Sequence, residues 1–231
     1  MNLILTMAGK YSEFTNAGYK LPKYLLPWGN RSILSEILHE LKKSNVFDNI
    51  FLIANKSDEN YLNHVRKILQ AYNIDSNNLI LLSNTKGQAE TAFSALKEIR
   101  DINGPIVFHN IDTILYNRDI KYIKSKMDQY SGYIDLFKSN NHEFSYVLVE
   151  NDCISQISEK ILISDKATSG LYGFNCCNTF LDNYDGEIYI SDVYKKMIIK
   201  NNKIFAGKIY TEKETIVLDT PTDYLNLTKL I

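Results

Sequence analysis

The sequence is poor in cysteine, carries almost no net charge and contains no long apolar run. Its three cysteines (Cys153, Cys176 and Cys177) are odd in number and two are adjacent, which argues against a disulfide framework and favours a reducing, cytoplasmic compartment. A formal net charge of −1 gives no support for a nucleic-acid-binding stripe or a membrane-surface patch. No apolar run is long enough to span a bilayer, and the first residues lack the basic start and cleavage site of a signal peptide.

Length and composition are those of an ordinary globular protein. The chain has 231 residues, of which 45% are hydrophobic and 23% charged, and this is enough to bury one sizeable core. No linker, repeat or low-complexity stretch divides it. We therefore interpret residues 1–231 as a single domain.

The first half of the sequence alternates short apolar runs with amphipathic segments. In the segment Ser32–Ser44, for example, Ile33, Leu34, Ile37, Leu38 and Leu41 fall on one helical face. The predicted strands are Asn2–Thr6, Asn49–Asn55, Leu79–Asn84 and Pro105–Asp112. The predicted helices are Ser32–Ser44, Glu59–Tyr72 and Gln88–Arg100. This alternation predicts an α/β fold with a Rossmann-like, doubly wound, mostly parallel sheet.

The second half is less regular and richer in strands. The predicted strands are Tyr133–Lys138, Phe144–Asn151, Cys153–Ser158, Ser169–Asn175, Lys203–Tyr210 and Thr215–Asp219. A helix is expected over Ile190–Asn201, and a last helix from Pro221, where Thr220, Pro221 and Asp223 fit a capping box. The pattern indicates an extra β-rich subregion beside the doubly wound sheet.

The loop after the first strand, Met7–Asn30, is rich in glycine and lysine. Met7, Ala8 and Gly9 are small or flexible enough for the backbone to approach a ligand closely, and Lys10, Lys20 and Lys23 add positive charge. Backbone N–H groups and lysines at a strand end suit a polyphosphate. The loop alone fits equally well a surface loop whose lysines face water.

Two aspartates end apolar strands elsewhere in the chain. Asp112 closes "HNID" and Asp219 closes "VLD", and ligands of open α/β sheets bind at such carboxyl ends. Two carboxylates brought together there would suit Mg²⁺, which prefers hard oxygen ligands and substrate phosphates. Either aspartate taken singly is more typical of a residue that caps a turn.

These stretches together resemble the small nucleotidyltransferases that join a nucleoside triphosphate to a phosphorylated sugar, alcohol or similar acceptor. That family opens with a strand, a loop of the form A-G-x-G-x-R-F and a G-Y-x-x-P-K-x-L-L stretch; "MAGKYSEF" and "AGYKLPKYLLPWGN" occupy those places here. The resemblance covers nearly the whole chain. It implies that Lys23 binds phosphates and stabilises the transition state, and that Asp112 and Asp219 bind Mg²⁺.

The resemblance also implies positions for the base and the acceptor. "TKGQAETA" resembles the segment that holds the base, which Gly87, Gln88 and Thr91 would line. "ISQISEK", "SGLYGF" and "GEIYISDVY" resemble segments near the acceptor. The acceptor-binding candidates are Glu159, Lys160, Gly170, Glu187 and Asp192.

The opening stretch departs from the family pattern at two positions. Tyr11 stands where the family has its second glycine, and Glu13 stands where it has an arginine that faces the leaving pyrophosphate. A carboxylate there would repel the pyrophosphate, so Lys10 or Lys20 would have to take the place of the arginine.

The expected reaction is attack by an acceptor phosphate on the α-phosphorus of a nucleoside triphosphate, with Mg²⁺ as cofactor and pyrophosphate as product. The length of the chain is closer to the family's cytidylyltransferases, which favours CTP, and a precursor of capsule or another surface polysaccharide is the family-level expectation for the acceptor. A homodimer is one option for the oligomeric state. No nucleic-acid or membrane partner is expected.

Three other interpretations stay open at this stage. Tyr11 and Glu13 would fit a nucleotide-binding homologue that has lost catalysis. A glycosyltransferase of similar fold would use a D-x-D motif, but "NID" supplies one carboxylate only and leaves the P-K stretch unexplained. An interaction protein that binds no nucleotide would make the strand-end clusters coincidental.

Overall fold

The computed structural model describes residues 1–229. Its N-terminal half contains seven strands and four helices in the following order. They are β1 (Asn2–Met7), α1 (Ser12–Asn16), β2 (Pro27–Trp28), β3 (Arg31–Ser32), α2 (Ile33–Lys42), β4 (Asn49–Asn55), α3 (Leu62–Ala71), β5 (Leu79–Leu82), α4 (Gln88–Glu98), β6 (Ile106–Asn110) and β7 (Thr113–Leu115).

The C-terminal half continues with the remaining elements of the described chain. They are α5 (Ile120–Met127), β8 (Gly132–Lys138), β9 (Ser145–Glu150), β10 (Cys153–Glu159), β11 (Lys166–Phe174), α6 (Cys177–Leu181), α7 (Ile190–Ile199), β12 (Ile204–Tyr210), β13 (Thr215–Val217) and α8 (Pro221–Thr228). Short 3₁₀ segments occupy Lys23–Leu25, Lys56–Tyr61 and Ser76–Asn78. No helix of the described chain is both long and apolar enough to cross a membrane.

Nine strands form one continuous sheet in the order β5-β4-β1-β6-β11-β8-β12-β10-β9. The strands β5, β4, β1 and β6 are mutually parallel, as the alternating pattern predicts. Beyond β6 the sheet is mixed, because β11 runs antiparallel to both β6 and β8. The α/β, Rossmann-like architecture is confirmed, and the strand-rich second half joins the same sheet.

Helices cover both faces of this sheet because the central strands are apolar on both sides. In β1, Leu3 and Leu5 belong to one buried cluster, whereas Ile4 between them belongs to another. Helices α2, α3 and α5 pack into the first cluster, and α4, α6 and α7 into the second. All five apolar residues predicted for one face of α2 are buried, so the periodicity located that helix correctly.

A separate two-stranded ladder pairs β7, from the middle of the chain, with β13, which lies close to its C-terminus. The buried guanidinium of Arg118 fixes this ladder to the main sheet. It donates to Asp135 Oδ2 on β8 (2.9 and 3.1 Å), to the carbonyl oxygens of Tyr116 and Glu214, and to the hydroxyl of Thr215. Arg118 and Asp135 are 1% and 0% exposed, so the ion pair is removed from water.

Several predicted boundaries differ from the structure. Strands β5, β6 and β13 each end two residues earlier than predicted. Asp112 and Asp219 therefore lie in the loops that follow β6 and β13. The opening loop contains the short helix α1. Cys177 begins α6, which buries Phe180 against the sheet and leaves Cys176 and Cys177 half-buried.

We expect the Arg118–Asp135 pair to be a main determinant of stability. Asp135→Asn leaves the guanidinium without a charged partner in the interior, so the free energy of unfolding should fall by about 3 to 5 kcal/mol. Urea denaturation measures this. The matched control is Asp165→Asn, which removes one partner of the exposed Lys138–Asp165 pair (3.6 Å) and should change stability little. Equal, small effects of both substitutions would contradict the expectation.

Candidate active site

The β7–β13 ladder brings Asp112 and Asp219 to the same place. Asp112 immediately precedes β7 and Asp219 follows β13 by two residues, while Thr113 is in register with Val217. The backbone N–H of Leu218 donates to the carbonyl oxygen of Asp112 (2.8 Å), which ties the two loops together. The two strand-end aspartates predicted from the sequence therefore converge.

Lys23 joins the two aspartates from the opening loop. Its Nζ lies 3.4 Å from Asp112 Oδ2 and 3.8 Å from Asp219 Oδ1, and it also donates to the Asp219 carbonyl oxygen (3.4 Å). The lysine side chain is only 12% exposed, and its ammonium lies 5.3 Å from the ring centroid of Phe14 on α1. One ammonium between two carboxylates fixes the position of all three groups.

The local electrostatics are those of a site for a cation. The walls of the cleft desolvate the carboxyl group of Asp219, and the negative charge of Asp112 adds to this, so the pKa of Asp219 is raised although Lys23 acts in the opposite direction. Within residues 1–229 no group of three or more potential metal ligands occurs. Two carboxylates nevertheless fit Mg²⁺, because that ion keeps waters and binds substrate phosphates through its other positions.

The nucleotide candidates line a cavity of about 370 Å³ on one side of Asp112. Met7, Gly9 and Lys10 form one wall, and Gly87, Gln88 and Thr91 form the other. Within the described residues the backbone N–H groups of Gly9 and Lys10 donate no hydrogen bond, so they are free to bind an anion.

Two residues of the opening loop do not reach this cavity. Ala8 is buried, and its carbonyl oxygen accepts a hydrogen bond from Asn55 Nδ2 (3.0 Å), so its predicted contact with nucleotide is not supported by its position. Lys20 is exposed away from the cavity, and its carbonyl oxygen accepts from the Tyr61 hydroxyl (2.6 Å). Of the two lysines considered as substitutes for the missing arginine, Lys10 alone lines the cavity.

The start of α4 is held against a loop that precedes α7. The N–H of Ala89 donates to the carbonyl oxygen of Ile188 (3.0 Å), and a Cβ on Gly87 would lie 2.5 Å from that same oxygen. Glycine is therefore required at position 87 by close backbone packing. The Thr91 hydroxyl lies 2.6 Å from that of Thr85 and donates to the Gly87 carbonyl oxygen (3.0 Å), so Thr91 shapes the loop around the cavity.

The acceptor candidates divide between a second cavity and the surface. Glu159, Lys160 and Gly170 line a cavity of about 250 Å³ on the other side of Asp112. Glu187 and Asp192 do not line it. The carboxylate of Glu187 is turned toward Lys196, with which it forms an ion pair, and Asp192 lies in the first turn of α7; their predicted role is not supported by these positions.

The second cavity has a polar floor and a charged rim. The hydroxyls of Ser145 and Ser191 both donate to Glu159 Oε2, the latter at 2.7 Å. At the rim, Lys160 Nζ donates to Glu143 Oε2 (2.7 Å). The cavity therefore combines hydrogen-bonding oxygens with one exposed ion pair, which suits a small hydroxylated substrate that carries a charge.

The two cavities meet at four shared residues, Gln88, Asn110, Asp112 and Asp219. Sequence reasoning did not single out Asn110, because it sits among strand residues and carries no charge. Its Oδ1 atom and Gln88 Nε2 are buried and have no hydrogen-bond partner in the described chain. Buried polar groups are normally satisfied, so both amides are suited to bind a ligand at the junction. Tyr189, Ser191 and Lys86 are further lining residues that the sequence did not indicate.

His109 supports the loop that carries Asp112 without reaching either cavity. It is completely buried on β6, and its Nε2 lies 2.8 Å from the carbonyl oxygen of Thr113. Burial lowers the pKa of His109 to about 4, so the imidazole is neutral near pH 7 and its Nε2–H is the donor.

The chain was compared with family models, with curated proteins and with solved structures. No family model matches the sequence. The "Bifunctional protein GlmU" of Methanococcus aeolicus is 26% identical over an alignment of 215 residues that covers 87% of this chain and 48% of that protein, so the chain spans about half the length of this curated relative.

Two solved structures are similar along nearly their whole length. The nucleoside-diphosphate-sugar pyrophosphorylase from Vibrio cholerae RC9 has a TM-score of 0.83 at 26% identity, with 98% of this chain and 99% of that chain covered. The inositol-1-phosphate CTP transferase from T. maritima has a TM-score of 0.78 at 15% identity, with 99% and 93% covered, and shows the shared fold alone. The resemblance seen in the sequence is thereby confirmed: the chain is similar to sugar-phosphate nucleotidyltransferases along nearly its whole length.

Proposed function

We propose that this protein transfers a nucleotidyl group from a nucleoside triphosphate to a phosphorylated sugar or alcohol and releases pyrophosphate. The observation that carries the proposal is the meeting of two cavities at Asp112 and Asp219, with Lys23 between the carboxylates. Two substrates bound on opposite sides of these residues would have their phosphates side by side. This arrangement suits a direct transfer without a covalent enzyme intermediate.

In the proposed reaction, an oxygen of the acceptor phosphate forms a bond to the α-phosphorus of the triphosphate. The bond from that phosphorus to the bridging oxygen breaks, and pyrophosphate leaves with the electron pair. Lys23 would neutralise charge that builds on the α-phosphate, and the free N–H groups of Gly9 and Lys10 would bind the leaving phosphates. Gln88 would bind the edge of the base through its unpaired amide.

Asp112 and Asp219 are the residues that would hold Mg²⁺. When bound, the ion would neutralise phosphate oxygens and act as a Lewis acid on the α-phosphate. The geometry supports this assignment, because the two carboxylates lie 3.4 and 3.8 Å from the Lys23 ammonium and a shared cation would offset their mutual repulsion.

Glu13 motivates the second candidate function, a nucleotide-binding homologue without catalysis. Glu13 lies on α1, and its charge contributes to the raised pKa of Asp219, so it is near enough to affect the site. It does not line the nucleotide cavity, however, whereas Lys10, Lys23 and Lys86 do. Lys10 and Lys86 add positive charge to that of Lys23 and offset the loss of the family arginine, and we therefore favour the active enzyme.

The finer assignments rest on the resemblance. CTP is the nucleotide that we propose from the resemblance to the family's cytidylyltransferases, and synthesis of an activated precursor for capsule or another surface polysaccharide is the proposed role. Residues 1–231 would act as one domain in the cytoplasm, with a homodimer as one option. The small acceptor cavity, with its hydroxyl and carboxylate floor, supports a hydroxylated phosphate as acceptor.

The proposal predicts pyrophosphate release with one nucleotide and one class of acceptor. CTP, UTP, ATP, GTP and dTTP are each incubated with Mg²⁺ and a mixed pool of sugar and polyol phosphates, and binding is followed in parallel by thermal shift. We expect release with CTP, and none after Mg²⁺ is removed by chelation. Stabilisation by a nucleotide without pyrophosphate release would favour the inactive homologue. The absence of both stabilisation and release would contradict both candidate functions.

We further predict that Asp112→Asn lowers kcat by at least about a hundredfold, because it removes one of the two carboxylates that would hold Mg²⁺ beside the transferring phosphate. Asp165→Asn is the matched control, because Asp165 lines neither cavity and its exposed carboxylate pairs with Lys138 and Lys166. Thermal unfolding checks that both variants fold. Near-normal turnover by Asp112→Asn would overturn the metal assignment.

A further inference from the structure

A buried carboxylate lies beneath the nucleotide cavity and has no place in the mechanism above. Asp58 is in the 3₁₀ segment after β4 and is 0% exposed. Its Oδ1 accepts a hydrogen bond from the Tyr11 hydroxyl (2.5 Å), and its Oδ2 accepts one from the Tyr24 hydroxyl (2.9 Å). It takes part in no ion pair within residues 1–229.

The two tyrosines belong to different parts of the proposed triphosphate site. Tyr11 follows Gly9 and Lys10, whose N–H groups are free, and Tyr24 follows Lys23, whose ammonium lies between the aspartates. All five of these residues line the nucleotide cavity. The intervening segment contains only the five-residue helix α1 and the start of the 3₁₀ segment, so it offers little regular structure to fix the distance between its ends.

We infer that Asp58 is a positioning residue that sets the loop at Gly9–Lys10 relative to Lys23 for triphosphate binding. The inference rests on the proposed function. A charged acceptor buried below the loop binds one phenol from each end of it, and hydrogen bonds to a charged group are stronger than neutral ones. Tyr11, which stands where the family has glycine, thus serves as an anchor, because its hydroxyl points down to Asp58.

The physical benefit is preorganisation of the loop. A glycine-containing loop that must be ordered on binding loses affinity through conformational entropy, and a loop already held in place avoids that cost. Negative charge at Asp58 opposes ionisation of the phenols, and together with burial this raises the pKa of Tyr11 and Tyr24 above the ordinary value for tyrosine. Both phenols therefore remain hydrogen-bond donors at physiological pH.

Tyr11→Phe tests this inference with the smallest possible change. The variant keeps the ring and loses only the hydroxyl. Its affinity for CTP, measured by calorimetry with Mg²⁺, should fall about tenfold, while its affinity for CMP should change by less than about twofold. The difference arises because CMP lacks the phosphates that the loop would bind. A purely structural role would weaken both nucleotides equally.

Tyr72→Phe is the matched control, because its hydroxyl donates to the Ser35 carbonyl oxygen (2.7 Å) and does not line the cavity. Asp58→Asn is the second variant, and hydrogen exchange should become faster in residues 8–12 and in residues 22–26 together. In Tyr11→Phe the change should be confined to the first segment.

The outcomes separate this inference from the function on which it rests. Suppose that the native protein binds CTP. If Tyr11→Phe then binds CTP with unchanged affinity, or loses affinity for CTP and CMP equally, the inference is wrong and the proposed function stands. If the folded native protein binds no nucleoside triphosphate at all, the proposed function fails and the inference fails with it.

Discussion

The short antiparallel ladder between Thr113–Leu115 and Thr215–Val217 is the constraint on which the site depends. It brings two carboxylates from distant parts of the sequence to one point at the edge of the sheet. Desolvation by the cleft raises the pKa of Asp219, and repulsion between the two negative charges adds to it. The buried Arg118–Asp135 pair anchors the ladder to β8, so a strong interaction within the core maintains an unfavourable arrangement at the surface.

The ammonium of Lys23 offsets part of this repulsion and connects the ladder with the opening loop. The loop is held in turn by Asp58 through Tyr11 and Tyr24. Two buried carboxylates thus support the site: Asp135 holds the β7–β13 ladder through Arg118, and Asp58 holds the opening loop. Their partners differ, because Asp135 binds a guanidinium whereas Asp58 binds phenols.

The sequence predicted the parts of the fold and the site that follow from local periodicity and from the polarity of strand ends. The apolar face of α2 and the parallel strands β1, β4, β5 and β6 are of this kind, and so is the meeting of Asp112 and Asp219. Lys23 was identified from the resemblance of its segment to a family motif.

Features that depend on long-range side-chain contacts were not predicted. In the sequence, nothing distinguishes Asp58 from the other polar residues of "KSDENY". Its hydrogen bonds to Tyr11 and Tyr24 form only in the folded chain. Asn110 carries no charge that would mark it, and the ion pair between Glu187 and Lys196 forms only in the folded chain. The mixed order beyond β6 follows from long-range pairing of β11, which no local pattern encodes.

The most direct test of this account is a crystal structure of the protein with CTP and Mn²⁺, in which anomalous scattering locates the metal without ambiguity. The account predicts a metal peak in contact with the carboxylates of both Asp112 and Asp219 and with the phosphates of a nucleotide bound in the cavity beside Gly9 and Lys10. A nucleotide bound in that cavity with the metal elsewhere, or a metal held by only one of the two aspartates, would contradict it.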